Sequence, residues 1–149
     1  MKIAIACDHG GYKLKNVLMK ELVSKGYEVV DYGCYNEDSV DYPDYAVKAA
    51  RAVQSGECEK GVVVCGTGIG VSITANKVHG IRCALVHDVF SAKATRAHND
   101  TNMLAMGQRV IGEGLAVEIL NAWLDTEYEG GRHDARVAKV MAIEEEESK

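Results

Sequence analysis

The chain has no long hydrophobic run, and its 149 residues amount to about one ordinary domain. Its longest apolar stretches, residues 3–7 and 62–65, are far shorter than the ~18 residues that a membrane span needs. Asp8 follows the first stretch at once and leaves no room for the apolar core of a secretory leader. The sequence therefore predicts neither a membrane span nor secretion.

Cysteine pairs and an excess of positive charge are also missing. The five cysteines are odd in number and form no C-x-x-C pair, which argues against a disulfide framework and against a zinc ribbon. No group of His, Cys and carboxylate residues has a recognisable metal-ligand spacing. The net charge of -5 offers no general attraction to nucleic acid or to an anionic membrane. We therefore expect a cytoplasmic protein that needs no metal and binds any anion locally.

Apolar, β-rich runs alternate with helical patterns along the chain. Strands are predicted over residues 2–7, 28–31, 61–65, 83–86 and 103–106, and helices over 13–25, 43–55, 71–77, 89–97, 112–125 and from 132 onward. In the helix over 112–125, the residues expected to face the core are Leu115, Ile119, Leu120 and Trp123. The alternation predicts an α/β fold in one domain spanning 1–149: a three-layer α/β/α sandwich with a Rossmann-like five-stranded parallel sheet.

Two segments with unusual sequences follow strands one and three. In an open parallel sheet, ligands bind beyond the carboxyl ends of the strands, where the strand order reverses. With the common order 2-1-3-4-5, strands one and three flank that reversal. Strand one ends in D-H-G-G at 8–11, and strand three is followed by Gly66, Thr67, Gly68, Ile69 and Gly70. The sequence therefore predicts the ligand site at these two strand ends.

The glycine loop after strand three can aim several backbone N–H groups at one point, which suits an anion or a developing oxyanion. Its spacing is G-x-G-x-G, one residue short of the dinucleotide fingerprint, and the chain contains no P-loop. Nucleotide binding is therefore a minor alternative. A tight turn without any ligand is the other competing interpretation.

Cys65 directly precedes this loop. A cysteine at the end of a buried strand is usually a small apolar filler. The backbone N–H groups at a helix N-terminus, however, stabilise a thiolate. Cys65 is therefore a candidate base or nucleophile, whereas Cys7, Cys34, Cys58 and Cys83 lack this setting and are interpreted as structural.

Other polar residues fall into loops that the predicted sheet brings to the same crevice. Asp8 is either a ligand-binding carboxylate or a helix cap, and the glycines beside His9 allow its imidazole to approach a ligand closely. His98 with Asn99 offers proton transfer beside an amide donor, or only a helix stop. His79 and His87 lack such neighbours and are interpreted as structural.

The last helix opens with two arginines. Arg132 and Arg136 are four residues apart and project from one face, near the positive end of the helix dipole. This arrangement suits a phosphate. The alternative is a solvated face on which the arginines pair with Asp134 and Glu129.

Five separated motifs resemble ribose-5-phosphate isomerase type B. They are D-H-G-G at 8–11, C-G-T-G-I-G at 65–70, A-N-K at 75–77, H-N-D-T-N at 98–102 and E-G-G-R-H at 129–133. The resemblance runs from the first strand to the last helix. It implies a cofactor-free interconversion of D-ribose 5-phosphate and D-ribulose 5-phosphate. Since the family includes the galactose-6-phosphate isomerase subunits, a six-carbon aldose 6-phosphate is the alternative substrate, and a binding module without turnover is the alternative outside catalysis.

The resemblance also implies roles for individual residues. Cys65 would move a proton between C1 and C2 of the open-chain sugar, the N–H groups of residues 66–70 would bind the enediolate, and His98 would assist ring opening. Asn99 and Asp8 would bind sugar oxygens, and Thr67 would relay a proton. The phosphate would be held by His9, Arg109, Arg132 and Arg136.

One branch of the family has a glutamate directly after the loop and no cysteine at the strand end. Here Val71 occupies that position and Cys65 is present, which places the chain in the cysteine branch. Family sites lie between subunits, so the last helix, about 132–147, would reach a neighbouring subunit. Because the chain carries every motif, a homo-oligomer, dimer or tetramer, would suffice without a second subunit type.

Overall fold

The chain folds into five strands and six α-helices, and the computed structural model describes all residues from 1 to 149. The strands are β1 Lys2–Cys7, β2 Glu28–Asp31, β3 Lys60–Cys65, β4 Cys83–Leu85 and β5 Met103–Gly107. The helices are α1 Tyr12–Ser24, α2 Tyr42–Gln54, α3 Ile69–Ala75, α4 Val89–Asn99, α5 Glu113–Asp125 and α6 Arg132–Glu147. A 3-10 turn, His9–Gly11, joins β1 to α1. All predicted elements are present, with small shifts at their ends.

The five strands are parallel and form one sheet in the order β2-β1-β3-β5-β4. The reversal between β1 and β3 is confirmed. The predicted order 2-1-3-4-5 is wrong, because β5 pairs with β3 and β4 lies at the edge. Burial explains the difference: every residue of β5 is buried, as in an inner strand, whereas β4 has three residues and none is fully buried.

Side chains that alternate along β1 fill two separate cores. Ile3 and Ile5 point toward α1, α4 and α5, in a core that also contains Trp123. Ala4 and Ala6 point toward α2 and α3, where small alanines of α2 let the helix approach the sheet closely. The helices thus cover both faces, and the predicted three-layer α/β/α sandwich is confirmed.

The ends of the helices follow the expected chemistry. Gly26 adopts a φ of 87°, which ends α1 through a left-handed residue. Pro43 lies in the first turn of α2, where its missing N–H costs nothing. Asp88 caps α4, since its carboxylate accepts a hydrogen bond from the Ser91 N–H at 2.6 Å.

The face that α5 turns to the core differs from the predicted one. Leu115 is 39% exposed, so its placement in the core was wrong. Ala116 is buried instead, together with Ile119, Leu120 and Trp123. These four have the i, i+3, i+4, i+7 spacing of one helix face, and the small Ala116 allows α5 to lie close to the sheet.

A buried charge pair near β2 escaped the sequence analysis. Lys15 is 1% exposed, and its Nζ donates to both carboxylate oxygens of Asp31 at 2.8 Å and to the Cys34 carbonyl oxygen at 2.6 Å. Removal of Asp31 would leave the Lys15 charge in the protein interior, at a cost of about 3–5 kcal/mol. The pair therefore fixes the segment that follows β2 against α1.

Helix α6 lies outside the two cores. His133 is its only buried residue, and Val140 and Ile143 are more than half exposed. Near its other end, the Glu144 carboxylate accepts a hydrogen bond from the Gly80 N–H at 3.0 Å. The helix thus bridges two points of the chain over a groove. None of the helices has the length and apolar character needed to cross a membrane.

Candidate active site

The ends of β1 and β3 lie side by side. The turn after β1 is closed by Asp8, whose Oδ1 accepts a hydrogen bond from the Gly10 N–H at 2.9 Å. A methyl group on Gly10 would lie 3.1 Å from the backbone nitrogen of Gly66. The D-H-G-G motif therefore contacts the glycine loop directly. Asp8 is the cap that the sequence allowed, and it also stands at this crevice.

Cys65 ends β3 with only 5% of its surface exposed. Its Sγ accepts a hydrogen bond from the Gly68 N–H at 3.1 Å. The backbone N–H groups of Gly66, Thr67 and Gly70 donate to no group of the chain. A thiol thus lies next to unpaired amide donors, and negative charge on a bound molecule can be stabilised there.

Close backbone packing fixes the shape of this loop. Gly68 has a φ of 78°, and a methyl group there would lie 2.6 Å from Leu85 Cδ1 and 2.8 Å from the Met106 carbonyl carbon. A methyl group on Gly107 would lie 2.5 Å from the carbonyl carbon of Thr67. The loop is therefore pressed against the end of β5. The Thr67 side chain is exposed, and its Oγ1 accepts a hydrogen bond from the Ile69 N–H at 3.2 Å.

Two of the predicted phosphate ligands lie at the same edge of the sheet. His9 Nδ1 accepts a hydrogen bond from the Val40 N–H at 3.2 Å, which leaves Nε2 to carry the proton as a donor. Arg109 is exposed, and its backbone N–H donates to the Gly66 carbonyl oxygen at 2.9 Å. An imidazole donor and a guanidinium therefore accompany the glycine loop.

The remaining predicted residues form a second cluster around the end of α4 and the start of α6. The rings of His98 and His133 are stacked, with their centroids 4.5 Å apart and their planes at 18°. The Glu129 carboxylate lies 3.3 Å from His133 Nε2. Asn99, Arg132 and Arg136 line the same groove, which has a volume of about 1020 Å³ and lies between α6 and the body of the chain.

The two arginines of α6 remain available to a ligand. Both are exposed, and Arg136 Nη1 donates only to the Arg132 carbonyl oxygen, at 2.9 Å. Neither forms an ion pair with Asp134 or Glu129, because Asp134 accepts from the Tyr128 hydroxyl and Glu129 pairs with His133. The structure therefore contradicts the alternative in which the two arginines pair with Asp134 and Glu129.

The two clusters lie at opposite ends of the strands. We call these ends the carboxyl edge of the sheet, which contains Cys65 and the glycine loop, and the amino edge, which contains His98 and the start of α6. Cys65 pairs with Gly107 at the carboxyl end of β5, whereas Asn102, the last residue of the H-N-D-T-N motif, accepts through its carbonyl oxygen a hydrogen bond from the N–H of Gly61 at the start of β3. Four residues of a strand separate Gly61 from Cys65, which corresponds to about 13 Å. Within one chain, His98 and the α6 arginines therefore do not meet Cys65.

One group of potential metal ligands exists that the spacing did not predict. Ligand atoms of His98, Glu129 and His133 lie within 4.8 Å of one another. The imidazoles are stacked, however, and the in-plane lone pairs of stacked rings run side by side instead of converging on one ion. The cluster has the form of a stacked pair held by a carboxylate.

Sequence reasoning missed residues that shape the crevice from outside the motifs. The Tyr42 ring covers the loop so closely that a methyl group on Gly70 would lie 2.6 Å from it. His87, which the sequence analysis interpreted as structural, accepts at its Nε2 a hydrogen bond from the Gly107 N–H at 2.9 Å, a partner that the sequence did not indicate. Neither contact leaves a local pattern, since both join residues far apart in the sequence.

Comparison with known proteins gives independent evidence on the family of this chain. Residues 3–140 match the ribose/galactose isomerase family. The chain belongs to this family. Ribose-5-phosphate isomerase B of Escherichia coli K12 is 49% identical over 144 residues, which cover 97% of each chain. A D-erythrulose-4-phosphate isomerase of Pectobacterium atrosepticum is 44% identical over 149 residues, covering 99% of this chain and 97% of its own. Family membership is therefore compatible with more than one sugar phosphate.

Solved structures of the family share the whole fold. Ribose-5-phosphate isomerase B of Clostridium thermocellum is 52% identical, with a TM-score of 0.97, and the match covers 98% of this chain and 99% of the other. The enzyme of Mycoplasma genitalium with bound ribulose-5-phosphate is 37% identical, with a TM-score of 0.92 and 97% of both chains covered. The resemblance seen in the five motifs is confirmed.

Proposed function

We propose that this protein is an aldose-ketose isomerase that interconverts D-ribose 5-phosphate and D-ribulose 5-phosphate. The observation that carries the proposal is the position of Cys65, one residue before a loop whose amides at Gly66, Thr67 and Gly70 are unpaired. Isomerisation through an enediolate needs such a base and such donors, because negative charge develops on a sugar oxygen in the transition state. Membership in the isomerase family supports this assignment.

Three side chains move the protons of the reaction in this proposal. His98 donates a proton to the ring oxygen as the C1–O4 bond of the furanose breaks, and solvent water accepts the proton that O1 releases as the aldehyde forms. The Cys65 thiolate then removes the proton from C2, and the electron pair of that C–H bond forms the C1–C2 double bond while O1 takes the negative charge. Thr67 relays the O2 proton to O1, and the Cys65 thiol returns its proton to C1. No cofactor takes part in this scheme.

The phosphate end of the sugar is assigned to positive groups from both edges of the sheet. His9 and Arg109 lie beside the glycine loop, whereas Arg132 and Arg136 lie on α6 at the other edge. Asp8 and Asn99 are assigned to sugar hydroxyl groups. A doubly charged phosphate held by guanidinium groups is bound through charge-assisted hydrogen bonds, which are the strongest kind.

A second copy of the chain completes the site in this proposal. The 13 Å between the two edges, about four strand residues, is too far for one sugar to contact Cys65 and His98 of the same chain. Exposed apolar side chains flank both clusters: Ile69 and Ile73 on α3, and Val140 and Ile143 on α6. Such patches are typical of surfaces that are covered on association. We propose a homo-oligomer, at least a dimer, in which α6 of one copy reaches the Cys65 crevice of the other.

The cysteines and the motifs also bear on the proposed compartment and subunit composition. All five cysteines are free thiols, although Cys7 and Cys34 have their Sγ atoms only 3.8 Å apart. Free thiols are usual in a reducing compartment, which supports the cytoplasm as the place of action. The complete set of motifs in one chain supports an assembly of one subunit type.

The direct test is turnover of ribose 5-phosphate. We expect formation of ribulose 5-phosphate, with kcat/KM for this sugar higher than for allose 6-phosphate or galactose 6-phosphate. Cys65→Ala should abolish turnover, whereas Cys58→Ala, which changes a buried cysteine outside the site, should keep it. Faster turnover of a six-carbon sugar would replace the substrate assignment, and binding without turnover of any sugar would contradict the enzyme assignment.

A further inference from the structure

We infer that His87 is a positioning residue for the reaction at Cys65, an inference that rests on the proposed function. Its neutral imidazole holds the end of β5, on which the glycine loop and the Arg109 turn are built. The imidazole acts only as a hydrogen-bond acceptor, so protonation of His87 releases this support.

The contact takes the place of a missing piece of strand. β4 ends at Leu85, whereas β5 continues to Gly107. The Gln108 N–H donates to the Cys65 carbonyl oxygen on the β3 side, at 2.9 Å. Successive backbone groups alternate between the two sides of a strand, so the Gly107 N–H points toward β4. His87 Nε2 accepts that N–H at 2.9 Å, where a longer β4 would supply a carbonyl oxygen.

Gly107 is the residue through which the loop and the turn after β5 are joined. It pairs with Cys65 in the sheet, and the Thr67 backbone is packed directly on its Cα. Two residues later, the Arg109 N–H bonds to the Gly66 carbonyl oxygen. A displacement of Gly107 therefore moves the loop amides relative to the Cys65 thiol and moves the Arg109 guanidinium as well.

The surroundings of His87 keep its ring neutral. Partial burial lowers its pKa, and the neighbouring Asp88 carboxylate, which is occupied with the cap of α4, only partly offsets this effect. The nearest ionisable residues in sequence on the adjoining elements are Arg109, in the turn after β5, and Cys65, before the glycine loop. Neither contributes to the lowering of the His87 pKa. A ring that accepts through Nε2 carries its proton on Nδ1. Protonation would place an N–H against the N–H of Gly107, and the hydrogen bond would be lost.

The sign of the pH effect follows from the lowered pKa. The acceptor is fully present above the ordinary histidine pKa of about 6.5, and it is lost as the pH falls through the lower pKa of the folded protein. We expect kcat/KM for ribose 5-phosphate to fall about five- to tenfold at this step, the size expected for one hydrogen bond.

The test combines NMR of the free protein with activity. The Gly107 and Thr67 amide resonances should shift together with the His87 ring between about pH 7.5 and pH 5, the range in which histidines titrate. In His87→Gln, whose amide oxygen accepts at every pH, the Gly107 shift should vanish and activity at neutral pH should be kept. The ratio of its kcat/KM to that of the original protein should then rise about five- to tenfold as the pH falls, because every other proton-binding group of the reaction is common to both enzymes. In His87→Phe, kcat/KM should be about five- to tenfold lower throughout, as expected for one lost hydrogen bond.

His79→Gln is the matched control, since His79 lies away from Gly107 and contacts Ser148. It should keep the acid step. A Gly107 resonance that stays fixed while the His87 ring titrates would overturn the inference, and so would a His87→Gln enzyme with the acid step of the original protein. The NMR readout needs no substrate, so failure of the proposed isomerase activity and failure of this contact are separate results.

Discussion

The two edges of the sheet differ in how their polar groups are satisfied. At the carboxyl edge, the amides of Gly66, Thr67 and Gly70 have no partner, although tight glycine packing fixes their positions. At the amino edge, the polar groups pair with one another: Asp100 accepts hydrogen bonds from Arg96, and its backbone carbonyl accepts from Arg82. The carboxyl edge offers unpaired backbone donors, whereas the amino edge offers the two α6 arginines beside charges that are already paired.

This difference shows how the chemistry is divided. Donors that stabilise a transition state must be fixed before the reaction, and a rigid backbone loop provides that. Binding of a phosphate tolerates long side chains, and the α6 arginines reach outward from a surface whose other charges are already paired. The carboxyl edge would thus perform the proton transfers between C1 and C2 of one sugar, while the amino edge of a second copy would open the ring and help to hold the phosphate.

The largest effect is expected from mixing two inactive variants. Cys65→Ala destroys the carboxyl edge and His98→Asn the amino edge, so each variant alone should lose nearly all turnover of ribose 5-phosphate. In randomly mixed dimers, half of the assemblies contain both variants, and one of their two sites is intact. Coexpression should therefore restore about one quarter of the original kcat per site.

The control for this experiment is the doubly changed chain, Cys65→Ala with His98→Asn, coexpressed with either single variant. It forms no intact site in any pairing and should restore nothing. If the mixture of single variants also restores nothing although mixed oligomers are isolated, each site lies within one chain and the comparison of the two edges fails.

A smaller effect is expected from adding one methyl group at each edge. Gly68→Ala puts a Cβ into a left-handed residue and against the Met106 backbone. Gly80→Ala, before β4 at the amino edge, also places a side chain at positive φ, 84°, but nothing lies within 4 Å. We expect losses of about 3 kcal/mol for Gly68→Ala and about 1 kcal/mol for Gly80→Ala. Urea unfolding measures both, and equal losses would show that the carboxyl edge is not tightly packed.

The smallest effect is expected from one arginine of the amino edge. Arg136→Ala should raise KM for ribose 5-phosphate about tenfold and leave kcat largely unchanged, because a charge-assisted hydrogen bond to the phosphate is lost. Lys139→Ala removes a cation from the same helix outside the groove and should leave KM as it was. Steady-state kinetics decide, and an unchanged KM in Arg136→Ala would remove that residue from the phosphate site.

Local sequence patterns predicted those elements that depend on the chemistry of neighbouring residues. The continuously apolar stretch that became β3, Gly26 after α1 and Pro43 at the start of α2 each define an element through the chemistry of neighbouring residues. The glycine loop after Cys65 was equally visible, because three glycines at G-x-G-x-G spacing lie directly between a predicted strand and a predicted helix.

No local sequence pattern predicted which strands lie side by side in the sheet. Which strand lies beside β3 depends on packing between distant segments, and this is why β4 and β5 were placed in the wrong order. The same limit hid the contact of His87 with Gly107 and the burial of Lys15 against Asp31. It also hid the separation of His98 from Cys65, which becomes evident only when both strand ends are placed in the sheet.

Hydrogen exchange at the sugar carbons tests the central assignment most directly. The protein is incubated with ribose 5-phosphate in D2O, and deuterium at C1 of ribulose 5-phosphate and at C2 of the recovered ribose 5-phosphate is measured by NMR. Because the Cys65 thiol exchanges the proton that it carries with D2O before returning it, the original chain should introduce deuterium at both carbons, whereas Cys65→Ala should bind the sugar and introduce none. Exchange by Cys65→Ala at the rate of the original chain would contradict the account.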